Sequence, residues 1–146
     1  MERELITFGV SEQLFGIDIM RIREIRAWSP VTLLPNVPNY VAGVVNLRGA
    51  VLPVVDLAMR LGWQKTEATP RNPIIVTEFN GQSRGLIVHD VSDIVSISAE
   101  TLQKPDGAAG SNIVHYIEGV APLDTRMVMV LDLELLLLGD ELEMAA

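Results

Sequence analysis

The second half of the chain repeats the first weakly, in two stretches that each align without gaps. Residues 16–25 align with 85–94, and residues 40–57 align with 116–133, with Gly, Tyr and Asp among the matched positions. The difference in residue number between aligned positions increases once along the chain, and the stretch 105–112 (PDGAAGSN) is the natural place for the extra residues. Chance similarity between apolar strands is the alternative explanation. The matched Gly, Tyr and Asp positions favour duplication, so we expect two related units that pack together.

Short strand signals fill most of both units. Segments rich in Val, Ile and Phe are separated by turn residues, and they read LITFGV, LFGIDI, VAGVV, AVLPVV, PIIVTEF, GLIVHDV, IVSIS, IVHYIEGV and MVMVLDL. Helical signal is confined to two short pieces that start at Asp56 and Asp132. Each opens on a candidate N-cap acid and closes on a Gly suited to a left-handed C-terminal position. Many strands with few helices predict a mainly β fold, as small barrels or a sandwich.

The domain organisation follows from length and from a polar stretch in the middle. A chain of 146 residues can form one ordinary domain, or two very small units that share a core. The polar stretch 62–73 reads as the linker between the units. We therefore predict one domain over 1–146, with subdomains near 1–65 and 71–146 and with terminal strands free to cross between them.

Composition excludes several classes of protein. Hydrophobic residues make up 49% and charged residues 21%, which is typical of globular chains. The net charge of −8 argues against nucleic acid as a partner, because phosphate contacts need a basic surface. No apolar run is long enough to span or insert into a membrane. The start MERELITFGV lacks a basic region before an apolar stretch, so it is not a signal peptide. A cytoplasmic location fits best.

Catalytic and metal-binding signals are weak. Cysteine is absent, and the two histidines, His89 and His115, belong to no spaced ligand cluster. His115 lies between apolar neighbours and reads as a strand residue. No nucleophile elbow, phosphate loop or dinucleotide fingerprint occurs. Asp90 and Asp93 could form a carboxylate pair, but a solvated loop explains them more simply. We expect no enzyme, no metal and no cofactor.

One arginine stands out in the apolar stretch NLRGAVLPVVDL. Asn46 and Gly49 suit the first and fourth positions of a type I turn between two strands, which would expose Arg48 at a hairpin tip. A solubilising turn charge is one interpretation, and a partner contact is the other. The repeat places Asp124 at the matching position. One hairpin has thus kept its architecture and changed its charge, which favours the partner contact.

These segments resemble the CheW-type chemotaxis coupling proteins over nearly the whole chain. FGIDIMRIREI, VAGVVNLRG, NLRGAVLPVVDL, GLIVHDVSDIVSI and TRMVMVLDLELLL follow the order and spacing of that family. The resemblance implies two five-stranded SH3-like β-barrels on a shared hydrophobic core, with short helices after residues 56 and 132. It also implies a non-catalytic cytoplasmic adaptor, recruited to membrane-bound receptor arrays. Such an adaptor links the cytoplasmic tips of methyl-accepting chemoreceptors to the regulatory domain of a CheA-type histidine kinase.

Carried onto this sequence, the resemblance assigns two contact surfaces. The receptor-facing groove would use six residues: Arg48, Glu24, Ile22, Gly43, Ile74 and Ile75. The kinase would meet the outer face of the first barrel through four residues: Val31, Thr32, Leu33 and Leu34. Plain core packing is the alternative for the three isoleucines. The chain departs from the family at Trp28, at Pro30 and in APLDTRM, which affects the shape of loops near the expected contact surfaces.

Two other functions remain open at this point. One is an acidic small-molecule-binding or hydrolytic β-barrel, which a pocket with converging carboxylates would favour. The other is a domain of the kinase itself, or of a coupling protein with a receiver. Met1 and the polar ending GDELEMAA favour a complete protein over that last option.

Overall fold

A computed structural model describes residues 2–67, 69, 71–104 and 116–137. The strands and helices found there are β1 (Glu2–Val10), β2 (Gln13–Asp18), β3 (Ile22–Ala27), β4 (Val41–Leu47), β5 (Ala50–Asp56), α1 (Leu57–Arg60), β6 (Pro73–Phe79), β7 (Gln82–Ile87), β8 (Asp90–Ser98), β9 (Ile117–Leu123), β10 (Arg126–Leu131) and α2 (Leu133–Leu137). Short 3-10 helices follow β2 and β8. In this described part of the chain, no helix has the length and apolar character needed to cross a membrane.

The strands form two five-stranded sheets with the same internal order. Sheet one runs β8-β1-β2-β10-β9, and sheet two runs β3-β6-β7-β5-β4. Each sheet has one parallel contact, β2 with β10 and β5 with β7, and the other pairs are antiparallel. The repeat aligns β1–β5 with β6–β10 in order, and that alignment converts one sheet into the other. The mainly β fold with two five-stranded subdomains and short helices is therefore confirmed.

Sheet membership does not follow the halves of the chain. The first two strands join the last three in sheet one, and the middle five form sheet two. The stretch 65–71 lies between β5 and β6, which both belong to sheet two, so the sheets do not divide the chain there. Each repeat instead gives its first hairpin to the sheet that holds the last three strands of the other repeat.

The core consists of one shared cluster and one smaller cluster for each sheet. The shared cluster joins Phe8 and Phe15 of sheet one to Val55 of sheet two, together with apolar residues of both helices. A second cluster lies within sheet two, around Leu52, and a third within sheet one, around Leu5. Burial of this apolar surface is the main driving force that holds the two subdomains together.

The two aspartates predicted as helix caps have different roles. The Asp132 side chain accepts a hydrogen bond from the Leu135 backbone at 3.3 Å, so it caps α2 as predicted. Asp56 makes no such bond to α1, and that prediction is wrong. Its carboxylate, only 4% exposed, accepts two hydrogen bonds of 2.8 Å from the backbone and hydroxyl of Thr66. The linker is thereby fastened to the end of β5.

Replacing Thr66 with valine should lower the free energy of unfolding by about 1–3 kcal/mol, because a buried carboxylate oxygen loses its hydrogen bond. Urea denaturation measures the change. Thr101→Val is the matched control, since the Thr101 hydroxyl makes its hydrogen bond to Ser98 at an exposed site and should matter by less than about 0.5 kcal/mol. Equal midpoints for the two variants would contradict the role of Thr66.

Candidate functional site

The hairpin between β4 and β5 turns through Arg48 and Gly49, because Leu47 pairs with Ala50. Both turn residues have positive φ, 51° and 86°, which is the pattern of a type I′ turn. The predicted type I turn is therefore wrong, since only the primed turn matches the right-handed twist of the flanking strands. Asn46 still supports the turn, because its side-chain oxygen accepts a hydrogen bond from the Gly49 backbone at 2.7 Å.

Gly49→Val should cost about 1–3 kcal/mol of stability, because a β-branched residue is strained at positive φ. A Cβ at this position would meet no atom within 4 Å, so the cost arises from the backbone conformation alone. Gly49→Asn is the matched control, since asparagine tolerates the left-handed region. The two variants are compared by chemical denaturation, and an equal loss in both would exclude the conformational explanation.

The Arg48 guanidinium reaches across sheet two to the opposite edge strand. Its Nη2 lies 2.6 Å from Oε1 of Glu24, which is on β3, whereas the arginine follows β4. These strands are the two edges of the sheet, so the ion pair connects one edge of the sheet to the other. The arginine side chain is 69% exposed and the glutamate 30%. Two of the predicted receptor-facing residues are thus paired and accessible.

The ion pair shifts the pKa values of both partners. The hydrogen bond from Arg48 holds the pKa of Glu24 below its ordinary value, and the charges of Arg26 and Arg23 act in the same direction. The same bond raises the pKa of Arg48. A carboxyl whose folded-state pKa is lowered stabilises the fold above its unfolded pKa, and this contribution is lost as the pH falls through the folded value.

Arg48→Met should raise the pKa of Glu24 toward its ordinary value, because the hydrogen bond and the nearest positive charge disappear together. The pKa is measured from the side-chain carboxyl signal in an NMR pH titration. Arg26→Met is the matched control and should raise the pKa less, since Arg26 acts on Glu24 only through its charge. An unchanged Glu24 pKa in the Arg48 variant would contradict the ion pair.

The second barrel lacks this ion pair. The repeat aligns Asp93 with Glu24 and Asp124 with Arg48, so two acids occupy the equivalent positions. Asp124 also has a positive φ, 55°, and both acids line one cleft of about 280 Å³. Asp90 and Asp93 lie on strand β8, so the predicted loop is wrong. The second hairpin shares the positive φ at its first turn residue but not at Thr125, and the positive charge at that first residue is specific to the first hairpin.

Three of the predicted receptor-facing residues are buried, and a fourth is half-buried. Ile74 and Ile75 are fully buried, the first in the interior of sheet two and the second in the shared core. They cannot line a surface groove, and core packing is their role. Ile22 is half-buried against the shared core. Gly43 is buried on β4, where an added Cβ would lie 2.4 Å from the Thr32 carbonyl oxygen.

The predicted kinase-facing segment, residues 31–34, runs beside the edge strand β4. The Thr32 backbone exchanges two hydrogen bonds with Val44, at 2.8 and 2.9 Å. Leu33 is 78% exposed, and Val31 and Leu34 are half-buried. The segment therefore has a fixed backbone and one prominent apolar side chain.

Sequence reasoning missed two exposed apolar residues on the strands that carry the ion pair. Ile25 lies on β3 and Val51 on β5, and both are exposed. Their repeat equivalents, Ile94 and Met127, are exposed as well. The signal was present in the repeat alignment, because apolar side chains recur at both pairs of matched positions.

The residues considered for catalysis or metal binding are structural or isolated. The Nδ1 atom of His89 accepts a hydrogen bond from the Ser11 backbone at 3.0 Å, which supports the β1–β2 hairpin. His115 lies outside the described residues. Among the residues that the structure describes, no group of three or more His, Asp or Glu side chains could hold a metal ion.

Comparison with known proteins gives one consistent result. A family model described as "CheW-like domain" matches residues 4–141. The chain is 42% identical to the chemotaxis protein CheW of Rhizobium meliloti, over 98% of this chain and 92% of the relative. It is 41% identical to the probable chemotaxis protein CheW of Rhizobium etli, over 99% and 93%. The crystal structure of the scaffolding protein TtCheW from Thermoanaerobacter tengcongensis matches with a TM-score of 0.86 and 30% identity, over 97% of this chain and 91% of that one.

Proposed function

This chain belongs to the CheW-like domain family and is a non-catalytic scaffolding protein of chemotaxis, and from that premise we propose which partners it joins. It couples the cytoplasmic tips of methyl-accepting chemoreceptors to the regulatory domain of a CheA-type histidine kinase. It acts in the cytoplasm at membrane-bound receptor arrays. Family membership also favours this scaffolding role over the alternative of a small-molecule-binding or hydrolytic barrel.

The exposed Arg48–Glu24 pair is the observation that carries the receptor assignment. A receptor tip is a helical hairpin, and such a helix needs apolar contact together with polar groups that fix its orientation. The pair supplies one donor on the turn and one acceptor on β3, and Val51 adds exposed apolar surface on β5. The acids at the equivalent positions of the other barrel support the view that only the first hairpin serves this partner.

Leu33 supports a separate kinase contact. An exposed leucine on a hydrogen-bonded segment presents apolar area at a small cost in conformational entropy, because its backbone is already fixed. Thr32 of the segment 31–34 pairs with Val44 of β4, whereas Arg48 lies in the turn that follows this strand. We assign the segment 31–34 to the kinase and the Arg48–Glu24 pair to the receptor.

Co-sedimentation tests the proposed coupling. The purified chain is mixed with membranes that contain chemoreceptors, with and without the kinase, and with matched membranes that lack receptors. We expect the chain to pellet with receptor membranes alone, and the kinase to pellet only when the chain is present. The proposal fails if the chain stays in the supernatant with receptor membranes, or if it does not increase the amount of kinase in the pellet.

A further inference from the structure

Two tyrosines occupy equivalent positions where the repeats meet. The Tyr40 carbonyl accepts a hydrogen bond from the Asp56 backbone at 2.8 Å, and the Tyr116 carbonyl accepts one from Asp132 at 2.8 Å. Each tyrosine is thus fastened to the end of the strand that precedes a short helix. Both rings are half-buried and pack against the shared core. The two rings therefore mark the contact between the subdomains, one from each side.

A single arginine lies against both rings. The guanidinium carbon of Arg60, on α1, is 4.4 Å from the ring centre of Tyr40 and 4.6 Å from that of Tyr116. Its Nε donates to the Leu136 carbonyl at 2.9 Å, and its Nη1 donates to the Tyr116 hydroxyl at 3.0 Å. Leu136 is the repeat equivalent of Arg60 itself. The second repeat therefore contributes only a carbonyl oxygen where the first contributes a cation.

We propose that Arg60 is a positioning residue that locks the two barrels in one relative orientation. The apolar contacts of the shared core are non-directional, and they tolerate small rotations of one barrel against the other. A planar guanidinium between two rings, with hydrogen bonds to a ring hydroxyl and a helix carbonyl, has directional requirements. Arg60 follows β5 of sheet two, and three of these four contacts go to residues next to strands of sheet one: the ring and the hydroxyl of Tyr116, and the carbonyl of Leu136. The lock does not depend on the identity of any partner.

Spin-label distances test this lock directly. The chain has no cysteine, so Val51→Cys and Met127→Cys place one label on each barrel at exposed, repeat-equivalent positions. The width of the distance distribution reports how freely one barrel moves against the other. We expect Arg60→Met to broaden it about twofold, as small sliding or hinge motions of packed units would.

Two further variants make the result decisive. Arg60→Lys keeps the charge but lacks the planar fork, so it should also broaden the distribution, and it decides the test if Arg60→Met does not fold. Arg23→Met is the control, because the Arg23–Glu78 ion pair lies within sheet two, and it should leave the width unchanged. A folded Arg60 variant with the parent's width, or equal broadening by Arg23→Met, would overturn the proposal. Receptor and kinase binding are not measured, so this outcome is independent of the proposed coupling.

Discussion

Gly43→Ala should lower the free energy of unfolding by about 3 kcal/mol. The added Cβ would lie 2.4 Å from the Thr32 carbonyl oxygen, and the backbone has a φ of +149°. Because a backbone atom blocks the methyl group, β4 and the segment 31–34 must separate. Strain at a disfavoured φ costs about 1–3 kcal/mol, and each of the two lost hydrogen bonds between Thr32 and Val44 adds about 0.5–1.5 kcal/mol.

Gly81→Ala is the control for this change. Gly81 also has a positive φ, +76°, but a Cβ there would meet no atom within 4 Å. Gly81→Ala should therefore lower the free energy of unfolding by only about 1–2 kcal/mol, which is the cost of a left-handed conformation in a residue with a Cβ. Urea denaturation followed by circular dichroism compares the variants. Equal losses would mean that the close approach of Thr32 to Gly43 does not exist in solution.

The fold was largely predictable because the repeat constrains it. Apolar strand segments at matched positions predicted two related β units, and the two sheets have identical internal order. Strand β3 gave no clear strand signal, because Ile22–Ala27 contains only three apolar residues among charged ones. The sequence analysis allowed terminal strands to cross between the subdomains, but it did not predict which hairpins are exchanged. The exchange depends on which edge each hairpin joins, and the local pattern is the same in both cases.

The buried isoleucines show why an apolar run does not identify a binding surface. Neighbouring residues of a strand point to opposite faces, so Ile74 and Ile75 enter two different cores. A strand that is buried on both faces has the same continuous apolar sequence as a strand with one exposed apolar face that binds a partner. Sequence could not distinguish these cases, because the covering residues come from the other repeat.

Hydrogen bonds to residues outside a local motif could not be predicted from the sequence, for a similar reason. Asp56 precedes a helix just as Asp132 does, yet its carboxylate binds Thr66 of the linker. A local motif cannot reveal a competing partner farther along the chain. By contrast, the exposure of Arg48 at a hairpin tip was predicted correctly, because Asn46 and Gly49 mark a short turn between two apolar strands.

Arg48→Asp should weaken binding of the receptor tip at least about tenfold, because it removes the donor and places a second acid beside Glu24. The variant should fold normally, since aspartate tolerates the positive φ of this turn and the side chain is exposed. Leu33→Asp is the reciprocal variant. It should weaken kinase binding and spare receptor binding, because Leu33 lies on the other proposed surface.

Paired titration tests whether Arg48 contacts the receptor. The parent chain, Arg48→Asp and Leu33→Asp are each titrated calorimetrically against a receptor-tip fragment and against the kinase regulatory domain, with folding checked by circular dichroism. If Arg48 contacts the receptor helix, Arg48→Asp loses receptor affinity by about tenfold or more and keeps its kinase affinity within about twofold. Unchanged receptor affinity in a folded Arg48→Asp variant would contradict this contact, and Arg48 would then be only a solvated turn charge.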